Sequence, residues 1–175
     1  MRCSLIIRLS FVLFFYLSFG LKTGLYAQQR GVQLPVAACL QYQKVKSKGG
    51  NLSGFFHRYG MRQLVNGDNS SRLWGFHVRL DSTWTKSQPP YRIFQKHDIY
   101  SFAVIDGRQP NSPCQYVFWW KGYYRRFADD LRRMGFVMSN DKYHTNILCF
   151  TRKDVDIVVN FIIWEDIYVM QLSFK

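Results

Sequence analysis

The fold is decided by residues 145–174, which read TNILCFTRKDVDIVVNFIIWEDIYVMQLSF. Three runs rich in β-branched and aromatic residues, 145–151, 155–163 and 167–174, are separated by short polar connections, and this pattern predicts antiparallel strands joined by hairpins. Because side chains alternate along a strand, one face of the last run carries Tyr168, Met170, Leu172 and Phe174. We expect that face to line a core.

The stretch before these strands, 122–134, has the period of a helix. Its apolar residues form one stripe, which holds Tyr123, Tyr124, Phe127, Leu131 and Met134. On the opposite side the spacings predict ion pairs from Arg126 to Asp130 and from Asp129 to Arg133. A helix face that neutralises its own charge is typical of a solvated surface and disfavours a nucleic-acid patch.

An internal repeat emerges when the chain is compared with itself at a shift of 68. Residues 54–107 then align without gaps with residues 122–175, with nine identities in 54 positions, where about three are expected by chance. The alternative is that two α+β segments share the same turn residues. With the repeat, the chain divides into a signal peptide (1–27), a basic N-terminal arm (28–53), repeat unit 1 (54–107), a linker and strand (108–121) and repeat unit 2 (122–175).

Each unit is expected to be a helix followed by three or four antiparallel strands. In unit 1 the alternation from Trp74 to Leu80 predicts a half-buried strand, and residues 83–90 predict a long turn because Pro89 and Pro90 do not fit a central strand. A unit of this size buries too little surface to be stable by itself. The predicted fold class is therefore α+β, with two tandem repeats that share one sheet and core and pack both helices on one face.

Residues 1–27 predict a secretory signal peptide. Arg2 and Arg8 precede an apolar run, 9–21, which is too short to span a membrane as a helix, and cleavage is expected after Ala27. A retained anchor is one alternative. A lipoprotein cleavage box at 36–39, which would place a lipid on Cys39, is another, but the apolar run ends far before it. The predicted localisation is exported, either periplasmic or extracellular.

Positive charge is concentrated in the basic arm. The whole chain has a formal charge of +13, and the arm holds four cations and no acid. Lys44, Lys46 and Lys48 precede Gly49 and Gly50, and this composition predicts an exposed basic loop. Such a loop would favour acidic partners without specifying which.

The most unusual stretch is the aromatic run 117–124, VFWWKGYY. Two adjacent tryptophans on a strand point to opposite faces, so one of Trp119 and Trp120 is expected in the core and the other is either covered or exposed. An exposed tryptophan beside Lys121 would suit a binding interface. We therefore predict a binding surface that includes Lys44, Lys46, Lys48, Lys121 and either Trp119 or Trp120.

The cysteines and histidines give little evidence of chemistry. Cys39, Cys114 and Cys149 remain after signal cleavage, and one disulfide of unknown pairing plus one buried thiol is the expected arrangement. The chain has no nucleotide-binding, nucleophile-elbow or zinc-ligand motif, so no cofactor and no metal are expected. The predicted function is an exported, non-enzymatic binding module for a protein or an anionic envelope polymer. The alternative is a small secreted hydrolase with a dispersed Cys/His site.

Overall fold

A computed structural model describes residues 31–50, 52–64 and 70–175. The signal peptide and its cleavage site lie outside these residues. The elements in chain order are helix α1 (Val36–Ser47), a 3-10 helix (His57–Tyr59), β1 (Arg62–Leu64), β2 (Ser71–Phe76), β3 (Val78–Leu80), a 3-10 helix (Pro90–Ile93), β4 (Phe94–Lys96), β5 (Phe102–Gly107), β6 (Cys114–Phe118), helix α2 (Lys121–Arg133), β7 (Val137–Asn140), β8 (Ile147–Arg152), β9 (Val155–Trp164) and β10 (Ile167–Phe174). The mixture of helices and antiparallel strands is an α+β architecture.

Eight of the strands form one antiparallel sheet in the order β1-β2-β5-β6-β10-β9-β8-β7. Strands β8, β9 and β10 are consecutive hairpins, as the sequence predicts. In the middle of the sheet, β10 pairs with β6, so that Tyr168 lies opposite Phe118 and Leu172 opposite Cys114. Strands β3 and β4 form a separate two-stranded sheet.

The two faces of the large sheet bury separate cores. The first face packs against both helices and contributes fully buried aromatic residues such as Phe102, Phe118, Phe150 and Phe161. The second face carries a smaller core, in which Leu73, Val117 and Val169 pack with Val78 and Phe94 of the two-stranded sheet. Both helices lie on one face, and the two-stranded sheet covers part of the other.

Helix α1 occupies residues that the sequence analysis placed in a basic arm with an exposed loop, so the loop prediction is wrong. The helix begins after Pro35, whose carbonyl accepts hydrogen bonds from the N–H groups of Ala38 and Cys39. It ends at Ser47, and Gly49, just after the capping residue Lys48, has a φ of 69° in the left-handed region that favours glycine. Its buried residues include two polar ones, Gln43 and Lys46. Because these positions on the buried face are not apolar, the spacing of apolar residues did not predict the helix.

Helix α2 matches the predicted helix, but its charged residues pair differently. The ion pairs are Asp129 with Arg132 and Asp130 with Arg133, at spacing i,i+3. Arg126 instead donates hydrogen bonds to the carbonyl oxygens of Val32 and Leu34 and to Gln33 Oε1. The predicted pair Arg126–Asp130 is therefore wrong, because Arg126 holds the segment before α1 against α2. The predicted pair Asp129–Arg133 is also wrong, because each of these residues pairs with another partner.

Unit 1 differs from its predicted organisation in two places. Residues 54–59, which the shift of 68 aligns with the start of α2, form turns and a 3-10 helix rather than an α-helix. The predicted strand 74–80 is broken at His77, where a φ of 51° separates β2 from β3. The repeat of period 68 is not confirmed by these elements.

No helix among the described residues is long and apolar enough to cross a membrane.

Candidate anion-binding site

The structure separates the three lysines that were predicted as one surface. Lys44 and Lys48 are exposed, on α1 and just after it. Lys46 is buried, and its Nζ lies 3.0 Å from Oδ1 of Asp106 and donates a hydrogen bond to the Ser112 carbonyl oxygen. Lys46 therefore cannot take part in an exposed binding surface, and its assignment to one is corrected.

The two adjacent tryptophans have different environments. Trp119 is buried in the smaller core. Trp120 is 39% exposed, and its ring lies 5.4 Å from that of Tyr100 and 5.3 Å from that of Tyr123. Lys121, the first residue of α2, is exposed next to it. Of the predicted aromatic anchors, Trp120 alone is on the surface.

The three described cysteines are free thiols, so the expected disulfide is not present. Burial and the neighbouring Cys114 raise the pKa of Cys39 well above its usual range. Burial and the Asp106 carboxylate raise the pKa of Cys114 to about 12, and burial also raises the pKa of Cys149. A raised pKa keeps a thiol protonated, which is the opposite of what a cysteine nucleophile needs.

A cleft of about 560 Å³ lies where β1 and the two-stranded sheet come together. Its lining consists of one apolar residue and six that carry or can carry charge, namely Val78 with Arg62, His77, Arg79, Lys96, His97 and Asp98. Three of these are permanent cations and one is a carboxylate. The cleft is therefore positively charged even when both histidines are neutral.

Contacts of both its ring and its backbone hold His77 in this cleft. Its ring stacks on Phe76 with 4.0 Å between ring centroids, and its Nδ1 lies 2.9 Å from Oδ2 of Asp98. Its carbonyl oxygen accepts hydrogen bonds from the Ser101 hydroxyl at 2.6 Å and from the His97 N–H at 2.9 Å. These contacts hold a non-glycine residue in the left-handed backbone region, which is sparsely populated and costs free energy.

The segment from His97 to Ser101 connects the cleft with Trp120. The Ser101 hydroxyl accepts hydrogen bonds from the N–H groups of His97 and Asp98, both at 3.0 Å. Burial tends to raise the pKa of Asp98, but hydrogen bonds from His77 and from the Tyr100 N–H lower it overall, so its carboxylate is ionised. Tyr100, two residues after Asp98, contacts Trp120, and the cleft and the exposed aromatic side chain are therefore supported by one loop.

Two permanent cations of the cleft, Arg79 and Lys96, make contacts near the surface. Arg79 donates a hydrogen bond from Nε to Gln95 Oε1 at 2.8 Å, and Lys96 forms an ion pair with Asp166. Both ion-pair partners are substantially exposed, and exposed pairs contribute little and can exchange partners. Cations arranged in this way can bind an anionic group such as a phosphate or carboxylate.

Sequence reasoning did not find this cleft. Arg62 lies on β1, His77 between β2 and β3, and Lys96 on β4, so the three residues share no local sequence pattern. The only signal was the alternation of Val78, Arg79 and Leu80, which places Arg79 on an exposed face. Within the described residues, no group of three or more His, Cys, Asp or Glu side chains is arranged to hold a metal.

Comparison of the chain with protein-family models, with curated proteins and with solved structures finds no significant match.

Proposed function

We propose that this protein is an exported binding module that holds an anionic polymer of the cell envelope in the basic cleft. The observation that carries the proposal is the lining of the cleft, where Arg62, Arg79 and Lys96 outnumber the single carboxylate of Asp98. Charges that converge in a concave site attract oppositely charged ligands more strongly than the same charges spread over a surface.

The surroundings of the cleft support a polymer rather than a single small ion. A volume of about 560 Å³ exceeds what one phosphate needs, and the Trp120 ring lies beside the loop that carries Asp98. A polymer segment could place an anionic group in the cleft and stack a ring on Trp120. Aromatic side chains supply contact area, while cations supply attraction.

Lys44 and Lys48 form the alternative surface, which the sequence predicted for an acidic partner. They are exposed, and they retain the positive charge that first suggested an acidic partner. They lie on α1 and just after it, whereas the cleft is lined by residues of β1, β3 and β4 and of the segments beside these strands. The two surfaces can therefore be tested separately.

The test measures binding of inorganic polyphosphate and of poly-L-glutamate to the purified protein by calorimetry, at several salt concentrations. A triple variant Arg62→Ala, Arg79→Ala, Lys96→Ala should bind at least tenfold more weakly and lose most of the salt dependence. The matched control Lys44→Ala, Lys48→Ala, Arg125→Ala removes the same charge from α1 and α2 and should bind almost as well as the parent protein.

If the cleft variant is folded and binds both polyanions with unchanged affinity, the cleft is not the site. If instead the control variant alone loses binding, the site is the exposed face of α1. Circular dichroism of both variants excludes a general loss of structure.

Export is proposed on the signal at residues 1–27. Residues 31–35 pack against α2, where the Val32 N–H donates to the Tyr123 hydroxyl at 2.6 Å, and Val32 and Leu34 are buried. Cleavage after Ala27 leaves this segment intact, whereas cleavage before Cys39 would remove it together with the first turn of α1. Mass spectrometry of the exported protein should therefore give a chain that starts at Gln28 without a lipid.

The tandem repeat also remains a proposal. Two similar halves of the fold support it. Along the chain, α1 precedes the four sheet strands β1, β2, β5 and β6, and α2 precedes the four sheet strands β7, β8, β9 and β10. The two sets of strands meet where β6 pairs with β10. The first helix, however, lies before residue 54. Aligned sequences of homologous chains would test whether 54–107 and 122–175 share more identities than the nine seen here.

A further inference from the structure

Strand β7 forms one edge of the large sheet. It pairs with β8 from Val137 opposite Thr151 to Asn140 opposite Leu148, and among the described residues no strand pairs with its other side. All four residues of β7 are exposed, including Val137 at 69% and Met138 at 42%. An edge with free backbone N–H and C=O groups and exposed apolar side chains is a template for another strand.

The cleft beside β7 is basic. It has a volume of about 920 Å³, includes Val137 in its lining, and is lined by Arg133, Arg152, Lys153 and Lys175 but by one acid, Asp154. This site is built from the end of α2, from β7 and β8, from the turn between β8 and β9, and from Lys175 after β10. It shares no residue with the cleft of the proposed function.

Two cations of this cleft, Arg152 and Lys175, are held in place by hydrogen bonds. Arg152 donates hydrogen bonds to the Met134 carbonyl oxygen at 2.6 Å and to both oxygens of Asp154, and Lys175 donates from Nζ to the Arg152 carbonyl oxygen at 2.9 Å. Asp154 is largely exposed. An incoming carboxylate could therefore replace or join Asp154 at a guanidinium that is already oriented.

We propose that β7 is a docking edge for an acidic, extended segment of a partner protein. The segment adds to β7 as a further antiparallel or parallel strand, and its backbone pairs with the free edge. Its carboxylates on one face reach Arg152 and Lys153, while its apolar residues cover Val137 or Met138. Such strand addition takes affinity from backbone hydrogen bonds and specificity from alternate side chains.

Charge decides between this partner and a second copy of the chain. Two copies joined through β7 would bring two sets of the same four cations towards each other, and like charges opposed across an interface are unfavourable. An acidic strand neutralises these cations instead.

The test uses a ten-residue peptide of alternating glutamate and valine, with two matched peptides. In one, glutamine replaces glutamate; in the other, alternate backbone nitrogens are methylated so that they cannot donate hydrogen bonds. Binding is followed by calorimetry and by amide hydrogen exchange of residues 137–140. The acidic peptide should slow exchange of the β7 amides that face away from β8, and each matched peptide should bind at least tenfold more weakly.

A double variant Lys153→Ala, Lys175→Ala should weaken binding of the acidic peptide severalfold, whereas the control Lys86→Ala, Arg125→Ala, which removes two exposed cations that line neither cleft, should not. The proposal is overturned if the acidic peptide binds without protecting residues 137–140, or if the methylated peptide binds equally well. It is also overturned if sedimentation shows that the protein dimerises with protection confined to these residues, because the occupant is then a second copy. Binding of polyphosphate to the other cleft does not depend on any of these outcomes.

Discussion

Lys46 Nζ lies 3.0 Å from Asp106 Oδ1, and both side chains are almost completely withdrawn from solvent. The other oxygen of Asp106 accepts hydrogen bonds from the Tyr42 hydroxyl at 2.8 Å and from Arg72 Nε at 3.0 Å. Asp106 lies on β5, whereas Lys46 and Tyr42 lie on α1. A buried carboxylate thus connects the first helix to the sheet, and a lysine that looks like part of a basic surface is a structural residue.

Replacement of Lys46 should destabilise the protein strongly. Lys46→Met leaves Asp106 buried with a smaller positive charge around it, and breaking one side of a buried ion pair typically costs about 3 kcal/mol. Lys44→Met, on the exposed side of the same helix, is the control and should change the free energy of unfolding by less than about 0.5 kcal/mol. Urea denaturation measures both values, and equal effects would show that Asp106 does not depend on Lys46.

The protein should lose stability in alkaline solution because of its buried thiols. The folded-state pKa values of Cys39 and Cys114 are raised, so their contribution is complete below the pKa of an unfolded cysteine, about 8.5. It is lost as pH rises from there towards the folded pKa, by up to about 1.4 kcal/mol per pH unit for each thiol. Unfolding under reducing conditions between pH 8 and 10 tests this. Cys114→Ala should flatten the dependence, and an unchanged slope would contradict the assignment.

His77 should tolerate glycine better than alanine. Both substitutions remove the imidazole and its contact with Asp98, but at a φ of 51° an alanine retains the Cβ that makes this region unfavourable. His77→Gly should therefore be more stable than His77→Ala by about 1 kcal/mol in thermal unfolding. At Arg79, on β3, the order should be reversed, because glycine there only adds flexibility to the unfolded chain.

The effect of Gly122→Ala on stability should depend on the Trp120 ring. A Cβ at Gly122 would lie 2.5 Å from ring atoms of Trp120, so Gly122→Ala must displace the ring. In a Trp120→Ala background the same change should stabilise the helix by about 0.5–1 kcal/mol, since alanine is the better helix former. In the parent protein it should be less favourable, with altered tryptophan fluorescence. Identical effects in both backgrounds would mean that the ring does not restrict residue 122.

The C-terminal part of the fold was predictable because its physical signals are local. The strands ending at Thr151, Ile163 and Phe174 in the sequence analysis end within one residue of those positions in the structure. Their alternation and the helix stripe of α2 need no knowledge of distant residues.

Helix α1 and the cleft that contains His77 were not predictable, because the residues that contact each other there are distant in sequence. Gln43 is buried because its amide donates to the Ser112 carbonyl oxygen, 69 residues away. Lys46 is buried through Asp106. Similarly, the left-handed conformation of His77 is fixed by contacts with the 97–101 loop. No pattern within a short window reports such partners.

The position of β10 affects the order in which this protein can fold. Although β10 is the last strand along the chain, it lies between β6 and β9 in the middle of the sheet. During synthesis from the N-terminus, β1 to β6 and β7 to β9 emerge first, and their edges at β6 and β9 stay open until β10 arrives. The two parts of the sheet therefore join only when β10 is inserted between them. Formation of the complete sheet therefore has to wait for β10, and its pairing with the distant strand β6 is a non-local contact of the kind that slows folding.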